Sequence, residues 1–173
     1  MRKLITLSLL CLFATAVFAE SAAGLHWTAP AGWKAGPAQM MRAATYAVAA
    51  AAGDKMGAEC ALYYFGAGQG GSVQANIDRW KEQFTGPGGK PAVATVAKRT
   101  LHAITMTTID VSGDYSGMGG PMAVGKTVPG YRLLGAIVEG PGGNIFVKFT
   151  GPLKTMAASK AKYDLLLASF AKD

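Results

Sequence analysis

The sequence predicts an α+β fold, in which a mainly antiparallel β-sheet is flanked by helices. Segments rich in β-branched and aromatic residues outnumber those with helical periodicity, and several of them meet at glycine-rich turns that are typical of hairpins. The predicted order is strands, one helix, four strands and a last helix. Because this order lacks the regular strand–helix alternation of parallel sheets, most neighbouring strands should run antiparallel.

The first predicted strands lie before the first helix. The segment Trp27–Gly36 places two tryptophans around a Pro-Ala-Gly turn, which suits a short strand and turn that tuck an aromatic ring into the core. Alanines favour a helix at Met40–Val48, but its short length and the break at Gly53 and Asp54 favour a strand, which we predict. The aromatic-rich segment Glu59–Phe65 ends at a glycine cluster and is also predicted to be a strand.

A helix is predicted from Ser72 to Phe84. The Ser72 hydroxyl can cap this helix by accepting a hydrogen bond from a backbone amide of the first turn. The glycine- and proline-rich segment Thr85–Pro91 ends it. Apolar residues recur at i, i+4, i+7 and i+11 and so form one buried face, which consists of Val73, Ile77, Trp80 and Phe84.

The C-terminal half of the chain is predicted to form four strands and a helix. One long glycine- and proline-rich loop, Ser116–Gly130, interrupts the strands, and the helix is predicted at Lys154–Ala171. The predicted strands are Val93–Arg99, Leu101–Tyr115, Tyr131–Glu139 and Ile145–Thr150, and the apolar face of the helix carries Met156, Tyr163, Leu166, Leu167 and Phe170.

The chain begins with the three-part pattern of a secretory signal peptide. Arg2 and Lys3 precede the apolar run Leu4–Phe18, and the residues before the predicted cleavage point suit signal peptidase. This run is shorter than the roughly 20 residues that a bilayer span needs. We therefore predict a signal peptide over residues 1–19 with cleavage after Ala19. Residues 20–173 are then expected to form a single soluble α+β domain, exported to the periplasm or secreted, without a membrane span.

Composition argues against several classes of function. The chain has 17 basic and 10 acidic residues, but no basic cluster with interleaved aromatic residues occurs, so no nucleic-acid partner is predicted. After cleavage only Cys60 remains, in an apolar segment where a buried thiol is expected rather than a nucleophile. The two histidines, His26 and His102, show no ligand or catalytic spacing, so neither a metal site nor a catalytic residue is predicted.

Two glycine-rich stretches have the spacing of phosphate-binding loops without the required context. Gly119–Thr127 has the P-loop spacing, but a Val-Pro-Gly segment follows where a helix should begin. The loop Gly66–Gly71 does lie between a strand and a helix, but the carboxylate expected about 20 residues further on is missing near Lys90. No cofactor is therefore predicted, although the helix N-terminus at this loop could hold a small anion.

The predicted first helix carries one polar cluster that suits a ligand. Asn76, Arg79 and Gln83 lie at i, i+3 and i+7, on a face beside Trp80. Arg79 with Asn76 could grip the carboxylate or phosphate group of a small anionic ligand. The alternative is that these residues form only a solvated helix face.

Several short motifs are spread along most of the chain. They are W-x-x-P-x-G-W at Trp27–Trp33, the Met-Arg pair at residues 41 and 42, G-G-x-x-x-x-N-x-x-R-W-x-x-Q-F at Gly70–Phe84, and F-x-K-x-x-G-P at Phe146–Pro152. In these motifs the chain resembles small exported bacterial proteins of uncharacterised function, with an element order similar to the PsbP-like fold. The resemblance implies an antiparallel sheet between helices. It implies no single activity, since relatives serve as a photosystem accessory subunit or as a small-GTPase partner.

These observations predict an exported, non-enzymatic binding or accessory domain for an unspecified protein partner or small anionic ligand. The alternative is an exported hydrolase-like enzyme of unrecognised type with a cleft near the Gly66–Gly71 loop. Residues Arg79 and Asn76 pointing into a concave pocket would favour a ligand site on the helix, whereas an open polar face would favour a solvated surface.

Overall fold

The computed structural model describes residues 19–117 and 127–173, which form two β-sheets and two α-helices. The predicted signal peptide, apart from Ala19, and most of the Gly119–Thr127 stretch lie outside the described residues. In chain order the strands are β1 (Ala19–Ala22), β2 (Leu25–Thr28), β3 (Lys34–Ala35), β4 (Arg42–Val48), β5 (Ala58–Tyr64), β6 (Phe84–Thr85), β7 (Ala94–Leu101), β8 (Ile104–Tyr115), β9 (Val128–Gly140), β10 (Gly143–Pro152) and β11 (Ala171–Lys172), and the helices are α1 (Val73–Glu82) and α2 (Leu153–Ala168).

The larger sheet has the strand order β3-β4-β5-β10-β9-β8, and both β6 and β7 pair along the outer edge of β8. Every strand pair within the described ranges is antiparallel. Consecutive strands pair directly from β7 to β10, whereas β10 also reaches back to β5. The predicted α+β class with a mainly antiparallel sheet is therefore confirmed.

Two-residue turns close the central hairpins. His102 and Ala103 join β7 to β8 with φ angles of 50° and 55°, as a type I′ turn requires, because its backbone matches the twist of the flanking strands. The prediction of a strand from Leu101 to Tyr115 was therefore wrong at its start, since β8 begins at Ile104. Pro141 and Gly142 join β9 to β10 within the predicted glycine turn.

The larger sheet separates two hydrophobic cores. One core, which we call the α2 core, lies between the sheet and α2 and contains both tryptophans of the first predicted strand and turn, Trp27 and Trp33, together with Phe149 and Phe170. The other core, which we call the α1 core, lies on the opposite face and is built from α1 and from inward residues of β8, β9 and β10. Strand residues alternate between the two cores because successive side chains point to opposite faces.

The helices begin close to their predicted positions. Ser72 caps α1, because its Oγ accepts a hydrogen bond from the Ala75 amide at 3.2 Å. Three of the four predicted apolar residues of α1 are buried, and the predicted apolar face of the last helix is buried in full. α2 ends at Ala168, earlier than predicted, because Ala171 and Lys172 pair with β2 instead. Among the residues that the structure describes, neither helix is long and apolar enough to cross a membrane.

A smaller sheet of β1, β2 and β11 packs beside the α2 core. Tyr46 of the larger sheet connects the two sheets, because its hydroxyl accepts a hydrogen bond from Trp27 Nε1 and donates one to Glu20 Oε2, each at 2.8 Å. Burial is the largest of several effects that raise the pKa of Tyr46, so this hydroxyl stays protonated and keeps its donor role.

Replacing Asp54 with alanine is expected to lower the free energy of unfolding by about 1–2 kcal/mol. The N-cap residue of α2, Pro152, provides no side-chain cap, and Asp54 takes its place from a distant loop. Asp54 Oδ2 accepts hydrogen bonds from the backbone amide and the hydroxyl of Thr155, both at 2.7 Å. Urea unfolding of Asp54→Ala measures the loss. The exposed Asp114→Ala serves as control, and equal stability of the two variants would show that the cap contributes nothing.

Candidate functional site

A cleft of about 570 Å³ opens on the sheet face that carries the α1 core, and we call it the Lys148 cleft. Residues of β4, β5 and the C-terminal part of β10 line one side, and residues from the ends of β8 and β9 line the other. α1 leaves this area open because its apolar side packs over β8, β9 and Phe146 of β10. The side chains with chemistry to offer are Arg42, Glu59, Tyr63, Tyr115, Tyr131 and Lys148.

Lys148 reaches the cleft because side chains alternate along β10. Its neighbours Val147 and Phe149 point into the α2 core, so Lys148 lies on the opposite face, beside the end of α1. There Lys148 Nζ donates hydrogen bonds to Gln83 Oε1 at 2.8 Å and to the Tyr115 hydroxyl at 3.0 Å. Both acceptors are neutral oxygens, so the ammonium group is held in place without being neutralised.

Lys148 carries a positive charge that no neighbour balances directly. Burial, followed by the positive charges of Arg79 and Arg42, lowers the pKa of Lys148 from 10.5 to about 8, and Glu59 partly offsets this. No carboxylate in the described part of the chain forms an ion pair with Lys148, and the rest of the sequence contains no Asp or Glu. A partly desolvated cation therefore faces the cleft at neutral pH.

Arg42 is the second cation of the cleft, and it has a partner. Its guanidinium donates hydrogen bonds to Glu59 Oε1 at 2.9 Å and to Thr45 Oγ1 at 3.2 Å, and it lies 5.2 Å from the centre of the Tyr63 ring. Arg42 and Glu59 largely cancel each other's charge. The net positive charge of the cleft is therefore that of Lys148.

Aromatic rings form the opposite wall of the cleft. Tyr115 stacks between Phe84 and Tyr131, with ring centres 4.7 Å and 5.8 Å apart respectively, and the Tyr131 hydroxyl lies 4.0 Å from the sulfur of Met56. Burial raises the pKa of Tyr115 to about 12, so its hydroxyl is neutral at physiological pH. The wall therefore combines apolar ring surface with uncharged hydroxyl groups.

Two of the predicted site residues touch or influence the cleft. Gln83 accepts the hydrogen bond from Lys148 and so helps to position the ammonium group. Arg79 is exposed on α1, and its charge is among the causes of the lowered pKa of Lys148. Neither residue is among those that line the cleft itself.

The other two predicted site residues make internal contacts. Asn76 is only 1% exposed, and its Nδ2 donates hydrogen bonds to the carbonyl oxygens of Gly70 and Ser72 at 2.8 Å and 2.9 Å. Its Oδ1 accepts a hydrogen bond from Arg79. Trp80 is buried in the α1 core. The face beside Trp80 is therefore not simply a solvated helix face, because Asn76 ties the helix to the preceding loop.

The Gly66–Gly71 loop is held against the domain by packing. A methyl group on Gly70 would lie 2.6 Å from the Phe146 ring, so this loop approaches the sheet more closely than any residue with a Cβ could. The residues of this loop are not among those that line the Lys148 cleft. Cys60 is fully buried in the α2 core, as predicted, and burial raises the pKa of its thiol.

Sequence reasoning did not identify Lys148, Arg42 or Tyr115 as site residues. The available signal was the segment Ile145–Thr150, in which a lysine stands between buried apolar residues of a strand near the centre of the sheet. A charged residue at such a position must find a polar environment on its own face of the sheet. That signal marks Lys148 but does not reveal which other strands meet it.

The free energy of unfolding should depend on pH through Lys148. Its pKa is about 8 in the folded protein and 10.5 as a free side chain, so the unfolded chain binds more protons between these values. The cost of burying the charge is fully present below pH 8 and disappears as pH rises toward 10.5. Between pH 7 and pH 10, we expect the free energy of unfolding of the native protein to rise by about 1–2 kcal/mol more than that of Lys148→Met. Urea unfolding of both proteins at the two pH values measures this difference. Parallel pH profiles of the two proteins would contradict the lowered pKa.

The chain matches no protein-family model and none of the curated proteins. Among solved structures, it is similar to a crystal structure of a protein of unknown function from Pseudomonas aeruginosa. That similarity has a TM-score of 0.49 at 10% sequence identity, and it covers 90% of this chain and 96% of the other.

Proposed function

We propose that this protein is an exported, non-enzymatic binding domain that holds a small anionic ligand in the Lys148 cleft. The observation that carries the proposal is the Lys148 ammonium group, which faces the cleft and, among the described residues, donates hydrogen bonds to the neutral oxygens of Gln83 and Tyr115 and to no carboxylate. A carboxylate or phosphate group beside it would accept a charge-assisted hydrogen bond and would balance the buried charge.

The size and chemistry of the cleft support binding rather than catalysis. Its volume falls within the range of about 300–1,000 Å³ that is typical of small-molecule sites. Its one carboxylate, Glu59, is engaged by Arg42, and burial keeps the Tyr115 hydroxyl protonated. Neither Glu59 nor Tyr115 is therefore suited to transfer a proton near neutral pH.

The proposed location and fold family rest on the sequence. The basic start, the apolar run and the cleavage pattern at Ala19 support export. The motifs that resemble small exported bacterial proteins, together with the antiparallel sheet between two helices, support a PsbP-like assignment. A protein partner, and the hydrolase alternative with a cleft near the Gly66–Gly71 loop, stay sequence-based predictions.

Calorimetric titration with acetate, benzoate and inorganic phosphate at pH 7 tests the anion site. We expect at least one of these anions to bind, and we expect Lys148→Met to weaken that binding about tenfold or more, since a hydrogen bond to a charged group is lost. The matched control is Lys162→Met, which removes an exposed lysine of α2 on the other side of the sheet. Absence of binding by all three anions, or equal binding by the two variants, would refute the site.

A further inference from the structure

We propose that the ligand of the Lys148 cleft is an aromatic monocarboxylate, with its carboxylate at Lys148 and its ring against Met56 and the rings of Tyr115 and Tyr131. This inference rests on the proposed anion site and adds the class of molecule that fills it. Three features of the cleft point to this class: the composition of its apolar wall, the space beside the cation, and the arrangement of its charges.

The apolar wall is made of aromatic rings and a thioether. Tyr115 and Tyr131 provide rings on one side of the cleft and Tyr63 a ring on the other, Met56 provides the sulfur, and none of the described lining residues is leucine, isoleucine or valine. Aromatic rings pack favourably against other rings, edge to face or offset, and methionine sulfur makes favourable contacts with aromatic rings. A ligand that carries a ring therefore gains more from this wall than an aliphatic ligand of the same size.

The space beside the cation exceeds what an inorganic anion needs. Small residues at Gly57, Ala58 and Ala61 line the cleft where strands β4, β5 and β10 meet, and they leave its volume of about 570 Å³ open. A phosphate or sulfate ion would contact only the cationic end. A ligand with a ring would also cover the surface of Met56, which is 53% exposed.

The charges of the cleft favour a single carboxylate. Of the two described cations that line the cleft, Lys148 has no ion-pair partner and Arg42 pairs with Glu59. A second negative group placed beside Glu59 would be repelled by its carboxylate. Tyr115 and Thr150 also line the cleft, and their neutral hydroxyl groups can help to orient a carboxylate.

Calorimetric titration at pH 7 with 2-naphthoate, benzoate, acetate, inorganic phosphate and the uncharged 2-naphthylmethanol tests this inference. We expect 2-naphthoate and benzoate to bind about tenfold more tightly than acetate and phosphate, because only they bury ring surface. Met56→Ala should lower the affinity for 2-naphthoate about fivefold. Met40→Ala removes a side chain that is 88% exposed and is not among the cleft residues, so it should leave the affinity unchanged.

The possible results separate this inference from the anion site on which it rests. If acetate or phosphate binds as tightly as the aromatic carboxylates, or if Met56→Ala and Met40→Ala behave alike, the aromatic class is wrong and the anion site stands. If 2-naphthylmethanol binds as tightly as 2-naphthoate, the carboxylate contact with Lys148 is wrong. If none of the five compounds binds, both proposals fail.

Discussion

Replacing Trp80 with alanine is expected to lower the free energy of unfolding by about 3–5 kcal/mol. Trp80 is 4% exposed and is the largest side chain that α1 places in the α1 core. Its ring lies against Gly135 of β9 so closely that a methyl group there would be 2.7 Å from it. Removing the indole therefore leaves a cavity between helix and sheet.

Urea unfolding followed by far-ultraviolet circular dichroism measures this loss. Leu165→Ala is the control, because Leu165 is 66% exposed on α2 and its loss should change stability by less than about 0.5 kcal/mol. The reciprocal variant Gly135→Ala should cost about 1–3 kcal/mol through overpacking against the same ring. Equal stability of Trp80→Ala and Leu165→Ala would show that α1 does not depend on this contact.

Replacing Asn76 with aspartate is expected to lower the free energy of unfolding by about 2–4 kcal/mol at pH 7, although the two side chains have the same shape. The carboxylate would place an oxygen where Nδ2 now donates to the carbonyl oxygens of Gly70 and Ser72. Two hydrogen bonds would become two repulsive contacts in a buried position. Burial and these two contacts raise the pKa of the new carboxyl group, whereas Arg79, which donates to Oδ1, lowers it. We expect the first effect to dominate, so acid should restore part of the lost stability by protonating the group.

Urea unfolding at pH 7 and at pH 4 tests both parts of this expectation. The control is Gln69→Glu, which adds the same charge to an exposed side chain of the Gly66–Gly71 loop. It should change the free energy of unfolding little at either pH. If Asn76→Asp is as stable as Gln69→Glu at pH 7, the hydrogen bonds of Asn76 do not stabilise the junction between the Gly66–Gly71 loop and α1.

Much of the fold could be predicted because its signals are local. The Ser72 cap, the apolar period of α1 and the glycine turn between β9 and β10 each lie within a few residues, and the structure confirms them. The strands β1 and β11 were missed because they have four and two residues. Each is held as a strand by its pairing with β2, which lies between them. A pairing between segments that are distant in sequence leaves no short sequence pattern from which it could be predicted.

The site was harder to predict because its parts are far apart in the chain. Lys148 meets Gln83 and Tyr115 only after β8, β9 and β10 have paired, and Arg42 joins them from a fourth strand. The spacing of Asn76 and Arg79 correctly placed them together on α1. Spacing alone could not show that Asn76 points into the protein, because periodicity identifies a shared face but not what covers it.

The division of the domain into two cores gives each face of the sheet its own optical reporter. Trp27 and Trp33 lie in the α2 core, whereas Trp80 lies in the α1 core, and these are the three tryptophans of the chain. A variant with phenylalanine at positions 27 and 33 would therefore emit only from the α1 side, and one with phenylalanine at position 80 only from the α2 side. Coincident emission changes in the two variants would show that both layers unfold in one cooperative step, and separate changes would show that the layers unfold independently.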